Sequence, residues 1–309
     1  MDQFKKLNNY IGWGVFLIAS FVYLSTIEKT ASLWDCGEFI SGAYKLEVMH
    51  EPGAPLFLLL GRIFSFFTSD TSQVAAMVNS MSAIASAFTI LFLFWTITAF
   101  GRKIYFKNNE AEKSKIFAIL GAGIVGSLTY TFSDSFWFSA VEGEVYALSS
   151  FFTALTFWCV LKWEEVADSP NSSKWLILIA YLIGLSIGVH LLSLLTIPAI
   201  AMIYYFKNYK YSHKGALITL ISSSLILLFV QGIFISGMSS LMGSFDVFFV
   251  NTVGLPFNSG VFIFLTLLIG LIYKGLSYTK KKSLPIWHNA ILGFMMLCIG
   301  YSSYTMVLI

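Results

Sequence analysis

Long apolar runs separated by short polar loops dominate the hydrophobic pattern of this chain. A helix that crosses a hydrocarbon core of about 30 Å needs roughly 20 mainly apolar residues. Runs approaching that length occupy 10–27, 74–100, 116–133, 145–161, 175–189, 191–206, 215–236, 258–273 and 287–309. The pattern therefore predicts an all-α polytopic membrane protein with about nine transmembrane helices.

A further apolar run at 53–68 is short and carries Arg62, so it either spans the membrane or lies on its surface. The positions of Lys and Arg decide, because these residues are enriched in cytoplasmic loops. If 53–68 does not span and the N-terminus is cytoplasmic, all but three of the 19 basic residues fall inside, the exceptions being Lys29, Lys45 and Arg62. We therefore predict that 53–68 is an interfacial or re-entrant helix on the outer face.

Composition excludes a soluble globular protein, since 57% of the residues are hydrophobic, only 11% are charged and the mean hydropathy is +0.77. Cys36, Cys159 and Cys298 lie in separate segments, which favours neither a disulfide framework nor a zinc site. The glycines of GAGIVG at 121–126 lie inside a predicted span, so close helix packing explains them better than dinucleotide binding. The run Lys280–Lys282 flanks a span and needs no nucleic acid.

Acidic residues concentrate on the opposite side from the basic ones. With this topology, external loop 1 covers 28–73 and external loop 2 covers 134–144. Ten of the 16 acidic residues lie outside, namely Glu28, Asp35, Glu38, Glu47, Glu51, Asp70, Asp134, Glu142, Glu144 and Asp246. Because Asp and Glu contribute little to topology, this asymmetry is independent of the basic one. It indicates that any chemistry faces the exterior.

Two acidic constellations stand out among these residues. Asp35 and Glu38 are three apart, which on a helix puts both carboxylates on one side. Glu142 and Glu144 are two apart and share a side only in an extended loop, so one of them is expected to face the site. Carboxylates from two loops that converge over a membrane could supply a general base with electrostatic or metal support. The alternative is that they are ordinary solvated loop charges.

Four separated motifs carry a resemblance to a known family. WDCGEF after the first helix, HEPGAPLF at the start of the interfacial helix, FWFSAVEGEVYAL and GLSIGVHLLSLLTIP together resemble GT-C glycosyltransferases of the protein O-mannosyltransferase type, and most closely glycosyltransferase family 117. The resemblance implies that 1–309 is a GT-C-like transmembrane catalytic domain, and that a further C-terminal region is missing. Where the O-mannosyltransferase pattern has His-Pro-Pro, this chain has His50, Glu51 and Pro52.

The activity that the resemblance implies is transfer of a hexose, expected to be mannose, from a polyprenyl phosphate donor to Ser or Thr hydroxyls of exported proteins. A positioned carboxylate can take the hydroxyl proton as the new bond to the anomeric carbon forms. Asp35 is the candidate base, in a single inverting displacement. Glu38 would orient the acceptor or tune the pKa of Asp35 through like-charge proximity.

The leaving phosphate needs donors or a cation, and His190, Arg62 and His50 are the candidates. Glu142 or Glu144 is the candidate ligand for a divalent cation, since oxygen ligands suit Mg²⁺ or Mn²⁺. Structural alternatives exist for two of the donors. In the structural alternative, Arg62 extends its guanidinium to lipid headgroups. His190, in turn, caps a helix turn or bonds a neighbouring carbonyl.

We expect an integral membrane protein of the bacterial inner membrane. Its active site is expected on the periplasmic face and its N-terminus in the cytoplasm. Donor lipid, acceptor proteins and membrane lipids are the expected partners, and nucleic acid is not. A transporter or flippase for lipid-linked precursors is the rival interpretation, with a noncatalytic assembly subunit as a third. Transporters tend to place ionisable residues near the bilayer midplane, whereas the spans predicted here are almost free of charge.

Overall fold

The structure is a computed structural model that describes residues 2–51, 53–106 and 112–308. Pro52 of the HEPGAPLF motif and residues 107–111 of a predicted cytoplasmic loop lie outside the described residues. The regular structure within the described ranges is helical, without a strand. Its α-helices are α1 (Asp2–Ser25), α2 (Cys36–Lys45), α3 (Pro55–Ser65), α4 (Val74–Tyr105), α5 (Lys113–Thr131), α6 (Asp134–Ala140), α7 (Val145–Val166), α8 (Ser173–Ile187), α9 (Thr196–Asn208), α10 (His213–Phe229), α11 (Ser236–Asn251), α12 (Ser259–Lys281), α13 (Pro285–Tyr301) and α14 (Ser303–Leu308).

Helices coincide with every apolar run that the sequence pattern singles out. Within the described ranges, eight helical segments are long and apolar enough to cross a membrane. The run at 175–189 corresponds to α8, which has 15 residues and is shorter than each of these eight segments. The predicted outer helix at 53–68 is α3, somewhat shorter than expected at Pro55–Ser65. The chain is therefore an all-α polytopic membrane protein.

One boundary prediction is wrong. The apolar run 215–236 does not end in an outer loop, because α10 continues through a π-helical turn at Val230–Ile235 into α11. These 39 residues would extend for roughly 58 Å, about twice the thickness of a hydrocarbon core. The hydroxyl of Tyr301 donates to the carbonyl of Ile235 at 3.0 Å and so satisfies a backbone group at the π turn.

Asp246 is affected by the same correction. It lies within α11, not in a loop, and its side chain is buried. Its carboxylate accepts hydrogen bonds from the backbone amides of Gly260, at 3.0 Å, and Asn258, at 3.3 Å. Asp246 thus satisfies free amides at the start of α12, which explains its burial without a catalytic role.

The described residues form two compact units, one through Leu161 and one from Lys162. In the first unit, α1, α4 and α5 pack around a core that includes Tyr23, Ile90 and Phe94. The hydroxyl of Tyr23 donates to the carbonyl of Thr131 at 3.0 Å and joins α1 to the end of α5. A Cβ on Gly123 would lie 2.8 Å from Phe94, so the glycine-rich run in α5 serves close helix packing.

In the second unit, α8 packs on α13, α9 on α10, and α11 on α12. A Cβ on Gly184 would lie 2.4 Å from the carbonyl oxygen of Leu297, which shows how closely α8 and α13 approach. Tyr301 and Phe234 belong to the buried core of this unit. Small residues at these crossings fit a membrane bundle, where van der Waals packing contributes much of helix association.

Candidate active site

External loop 1 folds into a helical hairpin made of α2 and α3. Its connection reverses the chain with left-handed residues, Leu46 (φ 56°) after α2, and Gly53 (φ 92°) and Ala54 (φ 57°) before α3. The amide of Gly53 donates to the carbonyl of His50 at 2.8 Å and closes the second turn. The connection therefore brings His50 back towards the N-terminal end of α2.

Close packing holds the two helices together. A Cβ on Gly61 would lie only 2.8 Å from the Cβ of Ala43, so α3 presents bare backbone to α2. The rings of Phe39 and Phe57 meet edge to face with centroids 5.2 Å apart, and both side chains are buried. The hairpin rests on α4 through α3. The polar residues of this hairpin are therefore held in place by close packing between α2, α3 and α4.

Asp35, Glu38 and His50 form one cluster at the N-terminal end of α2. Nδ1 of His50 lies 2.8 Å from Oε2 of Glu38, and Nε2 lies 3.8 Å from Oδ2 of Asp35. The backbone amide of His50 also donates to Oε1 of Glu38 at 3.0 Å. All three side chains are about half exposed. The structure therefore brings together the two carboxylates of the first motif and the histidine of the second.

The contacts in this cluster stabilise opposite charges. The hydrogen bond from the backbone amide of His50, followed by that from its imidazole, lowers the pKa of Glu38. The hydrogen bond to Glu38 raises the pKa of His50, and the charges of Glu38, Asp35 and Glu144 act in the same direction against partial desolvation. The cluster thus favours an ionised Glu38 beside an imidazolium, with the Asp35 carboxylate close to that cation.

The second acidic loop lies at the start of α7, and both of its glutamates are buried. The amide of Glu144 donates to the carbonyl of Glu142 at 3.0 Å, which makes the loop a tight turn. Burial raises the pKa of Glu144 to about 7, with further upward contributions from Glu142 and Asp35 and a downward one from His50. Glu144 is therefore coupled electrostatically to the first cluster.

Burial also raises the pKa of Glu142, while a hydrogen bond from Ser32 opposes this shift. The hydroxyl of Ser32, in external loop 1, donates to the Glu142 carboxylate. A second link joins the same two loops, since the amide of Glu28 donates to the carbonyl of Val141 at 3.1 Å. The two acidic loops are therefore held against each other by direct hydrogen bonds.

Asn79 is a supporting residue that the sequence reasoning missed. Its side chain, fully buried in α4, donates to the carbonyls of Glu28, at 2.7 Å, and Thr30, at 3.2 Å. A Cβ on Gly143 would lie 2.7 Å from its Oδ1, so it also borders the turn between the two glutamates. A lone amide in the apolar run 74–100 was the available signal, because polar residues inside spans are costly and serve specific contacts.

Arg62 does not join the cluster. Its guanidinium donates to the carbonyl of Tyr44 at 2.6 Å and lies over the rings of Tyr44 and Phe66, at 5.1 and 4.6 Å from their centroids. Tyr44 is nine helical residues from Asp35, a distance of about 14 Å along the axis. Arg62 thus occupies the opposite end of α2, where a cation complements the helix C-terminus.

His190 belongs to the second unit and serves the local backbone there. Its Nδ1 accepts a hydrogen bond from the amide of Leu192 at 3.1 Å, at the start of a 3₁₀ turn covering Leu191–Leu195. Burial lowers its pKa, so the neutral imidazole is favoured. This arrangement matches the structural alternative in which His190 caps a turn.

One group of side chains has donors spaced for a metal ion. An oxygen of Asp35, an oxygen of Glu38 and a ring nitrogen of His50 all lie within 4.8 Å of one another. Two carboxylates and an imidazole make a mixed oxygen and nitrogen donor set, which suits Mn²⁺ better than Mg²⁺. Glu142 and Glu144, the ligands expected from the sequence, are not in this group.

Comparison with known proteins places this chain in a family. A family model described as the N-terminal domain of protein O-mannosyl-transferase TMEM260 matches residues 35–213, more than half of the chain. The chain belongs to this family. The match begins at Asp35 and includes Glu38, His50 and the second acidic loop, so the family region contains the cluster described above.

Two curated relatives have the same family name. "Protein O-mannosyl-transferase tmem260" of Dictyostelium discoideum is 28% identical over 195 residues, which cover 60% of this chain and 22% of that protein. "Protein O-mannosyl-transferase TMEM260" of Mus musculus is 28% identical over 173 residues, 56% of this chain and 22% of that protein. The matched region thus spans about a fifth of the length of these relatives. No solved structure matches the chain.

Proposed function

We propose that this chain is the membrane domain of a glycosyltransferase that moves a hexose, expected to be mannose, from a polyprenyl phosphate donor to Ser or Thr hydroxyls of proteins. The supporting observation is the exposed cluster of Asp35, Glu38 and His50, held on a packed hairpin between two membrane helices at the start of the family match. The names of the two relatives support O-mannosylation. The donor lipid and the stereochemistry follow from the family resemblance and the chemistry.

Asp35 is the proposed general base. It stands just before the first turn of α2 and its side chain makes no capping hydrogen bond. Its carboxylate is 56% exposed, so an acceptor hydroxyl can approach it from the aqueous side. The hydroxyl oxygen attacks the anomeric carbon, its proton passes to Asp35, and the carbon–oxygen bond to the phosphate breaks with its electron pair leaving on the phosphate. One such displacement inverts the anomeric configuration.

His50 is proposed to act on the phosphate, with Glu38 as its partner. Glu38 raises the pKa of His50 and so favours the imidazolium. Its contact with Nδ1 also fixes the orientation of the ring and leaves Nε2 towards Asp35. An imidazolium beside the base can stabilise the charge that grows on the leaving phosphate. This assignment gives Glu38 the role of positioning His50, in place of the expected roles of orienting the acceptor or tuning the pKa of Asp35.

Glu144 is proposed to stay partly protonated, which limits the negative charge next to Asp35. With a pKa raised to about 7 by burial, it is partly protonated near neutral pH and adds less than a full charge beside Asp35. Glu142, engaged by Ser32, is proposed to hold the second loop in place. Arg62 and His190 have structural partners in their own surroundings, and neither is included in the proposed chemistry.

A divalent cation is proposed as an alternative to the proton on His50. It would bind the neutral imidazole, Glu38 and one oxygen of Asp35, but not Glu142 or Glu144. It would supply positive charge for the donor phosphate. Binding of Mn²⁺ to the purified chain, followed by electron paramagnetic resonance, is expected to be lost in His50→Gln and retained in Glu142→Gln. The opposite pattern, or no binding in the unchanged chain, would refute this part of the proposal.

The central test is the variant Asp35→Asn. Purified protein in liposomes receives polyprenyl phosphate hexose and a Ser-containing peptide, and mass spectrometry measures the glycosylated product. Loss of the base is expected to lower the rate by roughly 10² to 10⁴. Glu47→Gln is the matched control, because Glu47 is an exposed carboxylate of the same loop that pairs only loosely with Lys45, at 3.6 Å, and it should retain full activity.

Full activity of Asp35→Asn would exclude Asp35 as the base. Movement of the lipid donor across the bilayer without any glycosylated product would favour the flippase interpretation instead. If activity requires a longer polypeptide, the unchanged chain alone shows neither glycosyl transfer nor lipid movement. Asp35→Asn and Glu47→Gln are then compared in the longer, active chain.

We also propose that the two acidic loops face away from the cytoplasm, with the N-terminus inside, as the distribution of basic residues predicts. In a bacterial cell this is the periplasmic face of the inner membrane. The reaction then takes place where exported acceptor proteins emerge. Labelling of single cysteines introduced on the two sides of the membrane tests this orientation.

A further inference from the structure

The second unit contains an apolar groove between α8, α9 and α10. Its volume is about 410 Å³, and its walls include Ile183, Ile197, Ile200 and Ile226. This volume lies within the range of roughly 300 to 1,000 Å³ that is usual for small-molecule sites. Apart from Tyr209, the lining residues lie on the apolar helices α8, α9 and α10. An apolar chain from the surrounding bilayer can therefore enter the groove without passing through water.

Aromatic residues line one end of the groove. Tyr204, Tyr205 and Tyr209 lie there, at the end of α9. The hydroxyl of Tyr205 accepts a hydrogen bond from the amide of Ser212 at 2.9 Å and donates to the carbonyl of Lys210 at 3.2 Å. This end of the groove is thus attached to the loop that connects α9 and α10. Tyrosine at such a position is typical of the headgroup level of a membrane.

The same loop has an unbalanced positive charge. Lys207 pairs with Asp168 at 2.8 Å, but among the described residues no acidic side chain pairs with Lys210 or Lys214, and both are exposed. Lys214 lies in the first turn of α10, which contains no acidic residue. A cation in this position is unfavourable, because the N-terminus of a helix is itself partly positive. An anion bound there would be stabilised by both lysines and by the helix.

We infer that this groove binds an anionic membrane phospholipid. One acyl chain lies along the isoleucines, and the phosphate lies between Lys210, Lys214 and the N-terminal end of α10, with the tyrosines at the level of the glycerol. Charge complementarity selects the anionic headgroup, and the apolar walls select a lipid over a free anion. The inference does not depend on the proposed glycosyl transfer, because the groove and the acidic cluster belong to different units of the chain.

The first test measures headgroup selectivity. The chain is taken into bilayers of equal parts phosphatidylcholine and phosphatidylglycerol, and native mass spectrometry measures which lipid stays bound. The unchanged chain is expected to retain phosphatidylglycerol selectively. The double variant Lys210→Gln/Lys214→Gln should weaken this retention roughly 25-fold, since each lysine near an anionic lipid is worth roughly a factor of five. Lys281→Gln/Lys282→Gln removes the same charge at the exposed end of α12 and should retain the selectivity.

The second test fills the groove. Ser222 lines it, so Ser222→Phe should displace the acyl chain and reduce retention of phosphatidylglycerol even with both lysines intact. Gly270→Phe adds the same side chain on α12, where a Cβ meets nothing within 4 Å, and should have no effect. Equal losses in the two lysine variants would overturn the inference in favour of general surface attraction. Unchanged retention in Ser222→Phe would overturn the assignment to the groove.

The third test asks what occupies the groove in a cell. A photoreactive amino acid replaces Ile218, which lines the groove and is 52% exposed, in the longest chain that contains this region. Cross-linking to a phospholipid is the expected result. Cross-linking to a protein segment would show that a helix covers the groove, and the lipid assignment would then be wrong.

Discussion

His50 connects two stretches of external loop 1 that are separated by a whole helix. Its backbone amide and its imidazole both bind Glu38, and its other ring nitrogen faces Asp35. The spacing of Asp35 and Glu38 indicates from sequence that their carboxylates share a side. The position of the His50 imidazole beside these two carboxylates depends on the turn at Gly53 and Ala54. The left-handed backbone of this turn returns the chain to α2.

The proposed role of His50 predicts a shift of the pH profile in Glu38→Gln. The hydrogen bond to Glu38 raises the pKa of His50, so the imidazolium persists to higher pH than it would alone. Removing the charge of Glu38 lowers the pKa of His50, and activity should then be lost at a lower pH on the alkaline side. The measurement is kcat/KM against pH for the unchanged chain and for Glu38→Gln.

The control for this experiment is His50→Gln, which should have low activity and lack the alkaline limb that His50 causes. If Glu38→Gln lowers activity at every pH without moving the alkaline limb, Glu38 does not act through His50. The earlier expectation, in which Glu38 orients the acceptor directly, would then be the better explanation.

The α2–α3 hairpin is the element that places the cluster. An apolar run preceded by prolines predicted a helix near 53–68. The distribution of Lys and Arg predicted that this helix does not cross the membrane. The existence of α2 as a separate helix was not predicted, because its ten residues, CGEFISGAYK, are too few and too polar to stand out as an apolar run. Its buried face of Cys36, Phe39, Ile40 and Ala43 is short. Packing against α3 stabilises it instead.

Gly61 provides a test of this packing. A Cβ at this position would lie 2.8 Å from that of Ala43 and 3.5 Å from Cγ1 of Val78. Gly61→Ala should therefore push α3 away from α2 and lower the free energy of unfolding by roughly 1 to 3 kcal/mol. Thermal unfolding in detergent measures the effect, and the transfer assay should show a reduced rate because His50 moves with the hairpin.

Gly14→Ala is the matched control, since a Cβ on Gly14 in α1 meets nothing within 4 Å. Alanine is the better helix former by up to about 1 kcal/mol, so this variant should be as stable as the unchanged chain or more so. A Gly61→Ala protein with unchanged stability and activity would show that the close approach of α2 and α3 is not required.

At the scale of the whole molecule, the predicted orientation can be tested by cysteine labelling. The buried native Cys36 and Cys159 and the partly exposed Cys298 are first replaced by serine or alanine. Ser135→Cys, exposed at the start of α6, should react with a membrane-impermeant maleimide added to intact cells. Asn171→Cys, exposed between α7 and α8, should react only after the membrane is permeabilised.

The reverse labelling pattern would place the acidic loops in the cytoplasm, and the proposal of transfer to exported proteins would fail with it. Labelling of both positions from outside would show that they lie on the same side of the membrane, so that α7 does not cross it once between them. The count of spans between α6 and α8 would then need to be revised, beginning with α7.

The sequence by itself determined the membrane class and the all-α architecture, and it located the acidic segments of the candidate site, because these depend on apolar length and charge, which are local properties. It also marked Asp35, Glu38 and the two glutamates of loop 2. The end of α10 was mispredicted, because a helix continues wherever its backbone groups find partners, and Tyr301 supplies one from a distant part of the chain.

Only the tertiary structure decided which marked residues meet. His50 joins Asp35 and Glu38, while Arg62 turns to the far end of α2 and His190 caps its own turn. Ser32 joins the two acidic loops, and Asn79 attaches the first of them to α4. These outcomes depend on side chains far apart in the sequence that reach a common point, and no local pattern of hydrophobic and polar residues encodes that distance.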